Sequence, residues 1–223
     1  MTLAYTFRFD VVTSNLGFLL SGIKATLLVT VAALAVGLII GLVVALGRMS
    51  RRRWVYAPAT VYIEVFRNTP ALVQLIWVYY CLPILTGINM NAPISCTLAL
   101  AVNGAAYIAE IIRGGIQGVD RGQVEAARTL GMSYAQTMRK IVLPQAFRRM
   151  IPPFVNESVS VLKFSSLVSV LGVADLTYQA QVLSTTTFRP IEIFTFLAIV
   201  YFVICTIISY CARLLEIRLA ASD

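Results

Sequence analysis

ATLLVTVAALAVGLIIGLVVAL, residues 25–46, runs without a single charged side chain, and that one stretch decides what kind of molecule this is. A helix crossing the hydrocarbon core of a bilayer needs roughly 20 mostly apolar residues, and inside lipid a helix is one of the few shapes that satisfies its own backbone hydrogen bonds. Working outward, further apolar stretches give candidate spans at about 18–47, 55–83, 93–112, 151–171 and 191–215. The second and fourth are interrupted by Glu64, Arg67, Glu157 and Lys163. Bulk composition agrees, with 59% hydrophobic and 13% charged residues in 223 and a mean hydropathy of +0.83, where a soluble domain carries about 25% charged residues. The sequence therefore predicts an all-α, polytopic membrane bundle of five transmembrane helices, folded as a single transmembrane domain over residues 1–223.

The net charge of +8 follows orientation rather than nucleic-acid binding. Arg48, Arg51, Arg52 and Arg53 follow the first span, seven Arg and Lys residues from Arg113 to Arg149 separate the third from the fourth, and Arg213 and Arg218 close the chain. The other side offers little beyond Arg8 and Arg189. Loops left in the cytoplasm collect Lys and Arg, which with five spans puts the N-terminus outside and the C-terminus inside. No basic run is interleaved with aromatics as a stacking surface for nucleic acid requires. Residues 1–16 lack the pattern of a cleaved signal peptide and are expected at the membrane surface. Cys81, Cys96, Cys205 and Cys211 form no CxxC pair and histidine is absent, which argues against a metal centre, a disulfide framework and a Ser-His-Asp arrangement.

One connection, residues 113–149, is too long to be a mere link. Asp120 is placed to cap a first short helix ending near Leu130, and Gly131 supplies a left-handed stop. Ser133 with Gln136 forms a capping box for a second helix that runs toward Leu143 before Pro144. Ala126 and Ala127 keep the first helix slim beside Glu125 and Arg128, a surface suited to a groove on another protein. The alternative is an amphipathic helix resting on lipid. In the first span Ala33, Gly37, Gly41 and Ala45 recur every four residues and predict close helix packing.

Glu125-Ala126-Ala127, then Gly131, then Ile141-Val142-Leu143-Pro144 resembles the EAA loop of ABC importer permeases. Ala106 to Ile116 with Gly122-Gln123, Phe66 to Gln74, and Asn156-Glu157 with Leu162 to Val168 widen the match. Over about residues 17–215 the chain is similar to permeases of the histidine, glutamine, glutamate, arginine and opine group. The resemblance implies the transmembrane domain of a type I ABC importer, working with ABC ATPase subunits, a second permease subunit, identical or paralogous, and an external or periplasmic amino acid-binding protein. It assigns ATPase coupling to Glu125, Ala126, Ala127, Gly131, Leu143 and Pro144. The chain carries no G-x-x-x-x-G-K-[ST] phosphate loop, so it is read as no enzyme and as cofactor-free, with ATP and Mg on the partner ATPase.

Ionisable groups inside a membrane usually face the protein interior and serve function, which directs attention to the fourth span. Asn156, Ser160 and Lys163 share one helical face, and Glu157 shares another with Phe164. An amino acid needs an anion or carbonyls for its ammonium group and a cation or donors for its carboxylate, and Asn156, Glu157, Ser160 and Lys163 include both kinds. Arg67 and Gln74, in a span kinked by Pro70, are further substrate candidates. The competing reading is structural, with Glu157 paired to a neighbouring helix and Lys163 and Arg67 anchored at interfaces. Where the resembled family commonly has an acid, this chain has Phe164, which favours uncharged polar or acidic amino acids over cationic ones. Glu64, Glu110 and Arg113 are expected to organise the cytoplasmic ends by ion pairing. Small stripes such as Gly37 and Gly41 suit packing with a second permease copy. An ion-coupled secondary carrier is the main alternative function, opposed by the absence of the paired repeats such carriers show, and a structural subunit with no solute pathway is the third.

Overall fold

The uncharged run at residues 25–46 lies inside α3 (Ile23–Arg48), the first long helix. A computed structural model describes the backbone of residues 5–220 and the side chains of residues 5–214, so the Arg218 side chain and residues 1–4 of the expected lead segment lie outside what is described. Two short helices, α1 (Asp10–Ser14) and α2 (Leu16–Ser21), precede α3. Then follow α4 (Arg53–Arg67), α5 (Ala71–Thr86), α6 (Ala92–Gln117), α7 (Arg121–Thr129), α8 (Tyr134–Thr137), α9 (Leu143–Phe164), α10 (Leu176–Thr187) and α11 (Pro190–Ala220). Among the described residues there is no strand.

Among the described residues four helical stretches are long and apolar enough to cross a membrane, Leu16–Arg48, Ala92–Gln117, Tyr134–Leu171 and Pro190–Leu214. The expected span at 55–83 is not one kinked rod. It is the pair α4 and α5, bent by 108°, and a fifth crossing exists only if the pair is counted together. Pro70 has no amide hydrogen and drives Thr69 away from helical geometry, so Asn68 to Pro70 break the helix outright.

α6 is the central element, packed against α3, α4, α5 and α9, with Ala99, Leu100, Ala101, Ala105, Ala106, Ile108 and Ala109 buried. The expected small-residue stripe meets it within the same chain. Ala33, Gly37, Gly41 and Ala45 are all buried, and a Cβ built on Gly41 would stand 2.7 Å from Cγ2 of Ile108 and 3.0 Å from the Ala105 carbonyl oxygen. That corrects the assignment of Gly37 and Gly41 to contact with a second copy: α6 already occupies the stripe, because only glycine lets the two backbones approach so closely.

The second helix of the polar island does not stop at Pro144. α8 passes through a wide π turn, Met138–Val142, straight into α9. A proline ring collides with the carbonyl four residues earlier, and the π turn opens the helix at that point, so the rod continues where an α-helix would end. The expected fourth span ends in a 3-10 turn, Ser165–Leu171, and the connection after it holds α10. At the other end the lead segment is fastened to α11. The Tyr5 hydroxyl and the Arg8 amide, the latter at 2.9 Å, donate to the fully buried Glu192 carboxylate, and Arg189 donates to the Thr6 carbonyl at 2.9 Å.

Candidate functional site

The polar island folds as its local signals require. Oδ1 of Asp120 accepts the Gly122 amide at 2.6 Å and starts α7. At its end the Met132 amide donates to the Ala127 carbonyl at 3.0 Å and the Gly131 amide to the Arg128 carbonyl at 2.9 Å. This paired closure needs a left-handed residue, and Gly131 supplies it at φ +77°. Ser133 and Gln136 then cap α8 reciprocally. A small core of Val119, Val142 and Ala146, with Ile116, Val124, Met138 and Met150 against it, fixes this knob to the ends of α6 and α9. Gln145 of α9 adds a hydrogen bond to Gln123 of α7.

On this knob Glu125, Ala126, Arg128, Gly131, Leu143 and Pro144 are exposed, while Ala127 faces inward. Leu130 is 82% and Tyr134 74% exposed, two large side chains on the same knob that the motif did not single out. Their signal in the sequence was a leucine and a tyrosine flanking the Gly131 turn in an otherwise polar stretch.

The second candidate region is a cleft of about 400 Å³ between the end of α4, the C-terminal half of α6 and α9. Arg67, Tyr107, Arg149 and Glu157 line it. Glu157 is buried, at 8% exposure, and its Oε1 has no hydrogen-bond partner. The Arg67 guanidinium lies 5.5 Å from the centre of the Tyr107 ring, in range for a cation–π contact. At the mouth Glu110 pairs with Arg113 at 2.6 Å and reaches Arg48 at 4.0 Å, the ion pairing expected for this end. Glu64, also expected to pair, is exposed and accepts a hydrogen bond from Asn68 at 3.0 Å.

Of the substrate candidates, the structure brings Glu157 and Arg67 to one cleft. Lys163 lines a different one, of about 600 Å³ between α9 and α11, with Ser166, Tyr201, Cys205, Thr206 and Ser209. Asn156 is exposed, Ser160 donates to the Asn156 carbonyl at 3.0 Å, and Phe164 is 36% exposed. Gln74 is buried and its amide fully engaged: Nε2 donates to the Phe66 carbonyl at 2.9 Å and to Thr69, and Oε1 accepts from Asn103 at 3.0 Å. Tyr107 and Asn103 were missed. Asn103 carried a signal, an amide in the middle of an apolar helix.

Residues 37–221 match the family described as the binding-protein-dependent transport system inner membrane component. This chain belongs to that family. The permease is 35% identical over 215 residues to the arginine transport system permease protein ArtQ of Bacillus subtilis (strain 168), covering 96% of this chain and 98% of the relative. It is 38% identical over 202 residues to the glutamine transport system permease protein GlnP of Escherichia coli (strain K12), covering 90% and 92%. A solved amino acid ABC transporter, crystallised with histidines, has a chain of 42% identity that superposes with a TM-score of 0.91 over 96% of the permease and 100% of that chain. The permease is thus an inner-membrane subunit of an amino acid ABC transporter with the type I fold, and ATP hydrolysis resides on a separate subunit.

Proposed function

We propose that this permease imports a polar L-amino acid, with an uncharged or acidic side chain preferred, and that the cleft holding Glu157 and Arg67 recognises the zwitterionic end of the substrate. The observation that carries the reading is the buried Glu157 carboxylate with an unpartnered Oε1 in the same cleft as the Arg67 guanidinium. A buried unpaired acceptor is costly, and a substrate ammonium group removes that cost, while the guanidinium matches a carboxylate. Phe164 in place of a second acid leaves the region without the extra negative charge that a cationic side chain needs.

In this proposal the N-terminus lies outside and the C-terminus inside, as the basic loops indicate, and ABC ATPase subunits dock on the knob around Glu125. A second permease subunit, identical or paralogous, completes the pathway, and an external amino acid-binding protein delivers the ligand. Closure of the ATPase dimer on ATP moves the knob, and the continuous rod from α8 through α9 carries that motion to Glu157 as a rigid body. The family membership leaves an ion-coupled carrier without support. Competition by unlabelled amino acids for uptake in cells tests the substrate class: inhibition by glutamine or glutamate is expected, and preferential inhibition by arginine overturns it.

A further inference from the structure

The elbow between α4 and α5 is held by two amides that converge on a single carbonyl. Phe66 stands in the last turn of α4, where carbonyls have no partner within the helix. Its oxygen accepts Nε2 of Gln74 at 2.9 Å, from α5, and Nδ2 of Asn103 at 3.2 Å, from α6. The same Asn103 amide donates to Oε1 of Gln74 at 3.0 Å, so three helices meet in one polar knot inside the bundle. The next residue after Phe66 is Arg67. One helical turn beyond Asn103, on the same face of α6, is Tyr107, the ring under the Arg67 guanidinium. On the near side of the elbow the Tyr62 ring lies tilted against Phe66, 4.7 Å between centroids, and its hydroxyl donates to the Val102 carbonyl at 2.6 Å.

We propose that Asn103 and Gln74 are positioning residues for substrate: by fixing the Phe66 carbonyl to α5 and α6 they hold Arg67 over Tyr107 and so set the permease's preference for a free α-carboxylate. The inference rests on the reading of the Glu157 and Arg67 cleft given above. Neither amide is assigned a contact with substrate: Gln74 spends both ends of its amide on the knot, and Asn103 spends its Nδ2 there. Without Asn103, the hydrogen bond that ties α4 to α6 is that of Tyr62 to Val102, set four residues back from Phe66, and Arg67 at the unwinding end of its helix loses its fixed height above the ring. A binding group that must be ordered at each encounter contributes less affinity than one already in place.

The test uses the assembled permease and ATPase complex in nanodiscs and measures binding of L-glutamine and of its α-carboxamide, which lacks the carboxylate. The parent complex is expected to prefer glutamine by about tenfold or more, the scale of one charge-assisted hydrogen bond. Arg67→Ala removes the preference. Asn103→Leu reduces it by roughly three- to tenfold while leaving affinity for the carboxamide unchanged, and adding it to Arg67→Ala changes nothing further. If Asn103→Leu fails to assemble, Asn103→Ser, too short to span to Phe66, takes its place. A variant at 103 that keeps the preference, or weakens both ligands equally, overturns the positioning role. An Arg67→Ala complex that keeps the preference, or a parent that binds no glutamine, overturns the cleft reading instead.

Discussion

Adding one methyl group at Gly41 separates two ways in which the stripe on α3 can be used. A Cβ there would stand 2.7 Å from Cγ2 and 2.9 Å from Cβ of Ile108, and 3.0 Å from the Ala105 carbonyl oxygen. Carbon atoms prefer a separation of about 3.5 to 4.0 Å, so Gly41→Ala creates an overlap of about 1 Å with the body of a buried side chain and with backbone. Overpacking of that kind costs about 1–3 kcal/mol. In a chain of this size each kcal/mol moves the unfolding midpoint by about 2–4 °C, giving an expected loss of about 2–12 °C. Gly37→Ala, whose nearest neighbour would be the Ala101 carbonyl at 3.1 Å, is expected to lose less. Gly17→Ala meets nothing within 4 Å and gains helix propensity of up to about 1 kcal/mol, so it serves as the control. The assay is thermal unfolding of the purified permease in detergent, with the oligomeric state of the assembled transporter measured in parallel. If Gly41→Ala unfolds at the parent temperature while the assembly comes apart, the stripe faces a second copy after all and the packing argument fails.

Other outcomes follow from the same geometry. Glu125→Lys, or Gly131→Trp at φ +77°, is expected to leave the protein in the membrane and abolish ATP-driven uptake; unchanged uptake rates would remove the knob from the mechanism. Ser133→Ala deletes half of the capping box at a local cost of about 0.5–2 kcal/mol, which should speed amide hydrogen exchange at residues 134–137 and leave α6 unaffected. Phe164→Asp places a second acid on the Glu157 face and should raise the inhibition of uptake by arginine relative to glutamine, read in the same competition assay. Glu192→Ala leaves the Tyr5 hydroxyl and the Arg8 amide without their acceptor, and the lead segment should then be cut faster by an added protease.

The residues that were legible in advance have their partners close by along the chain. Asp120 caps an amide two residues on, Ser133 and Gln136 cap each other across three, and Gly131 closes a turn that begins four residues earlier. Such signals survive without knowledge of the rest of the fold. Gln74 was legible as a polar residue in an apolar stretch but not as one half of a knot, because Asn103 lies 29 residues away. Lys163 and Glu157 were legible as costly intramembrane groups. Six residues on a helix turn them about 120° apart, and the packing of α6 on one side and α11 on the other sends them to separate clefts.

Charge-free runs, the distribution of arginine and the spacing of Glu125, Gly131 and Pro144 were enough to determine a helical membrane bundle and the family it belongs to, since lipid forbids exposed backbone and a motif is a property of the chain alone. Which neighbour each face would meet was left to the tertiary structure. The small-residue stripe could serve any close partner, and it was the position of α6 that claimed it. Pro70 announced a disturbance, and only the tertiary structure showed it as a bend of 108° tied by Gln74 and Asn103 at the Phe66 carbonyl, with Arg67 at its corner. Burial and contact depend on where distant segments arrive, and no local pattern carries that information.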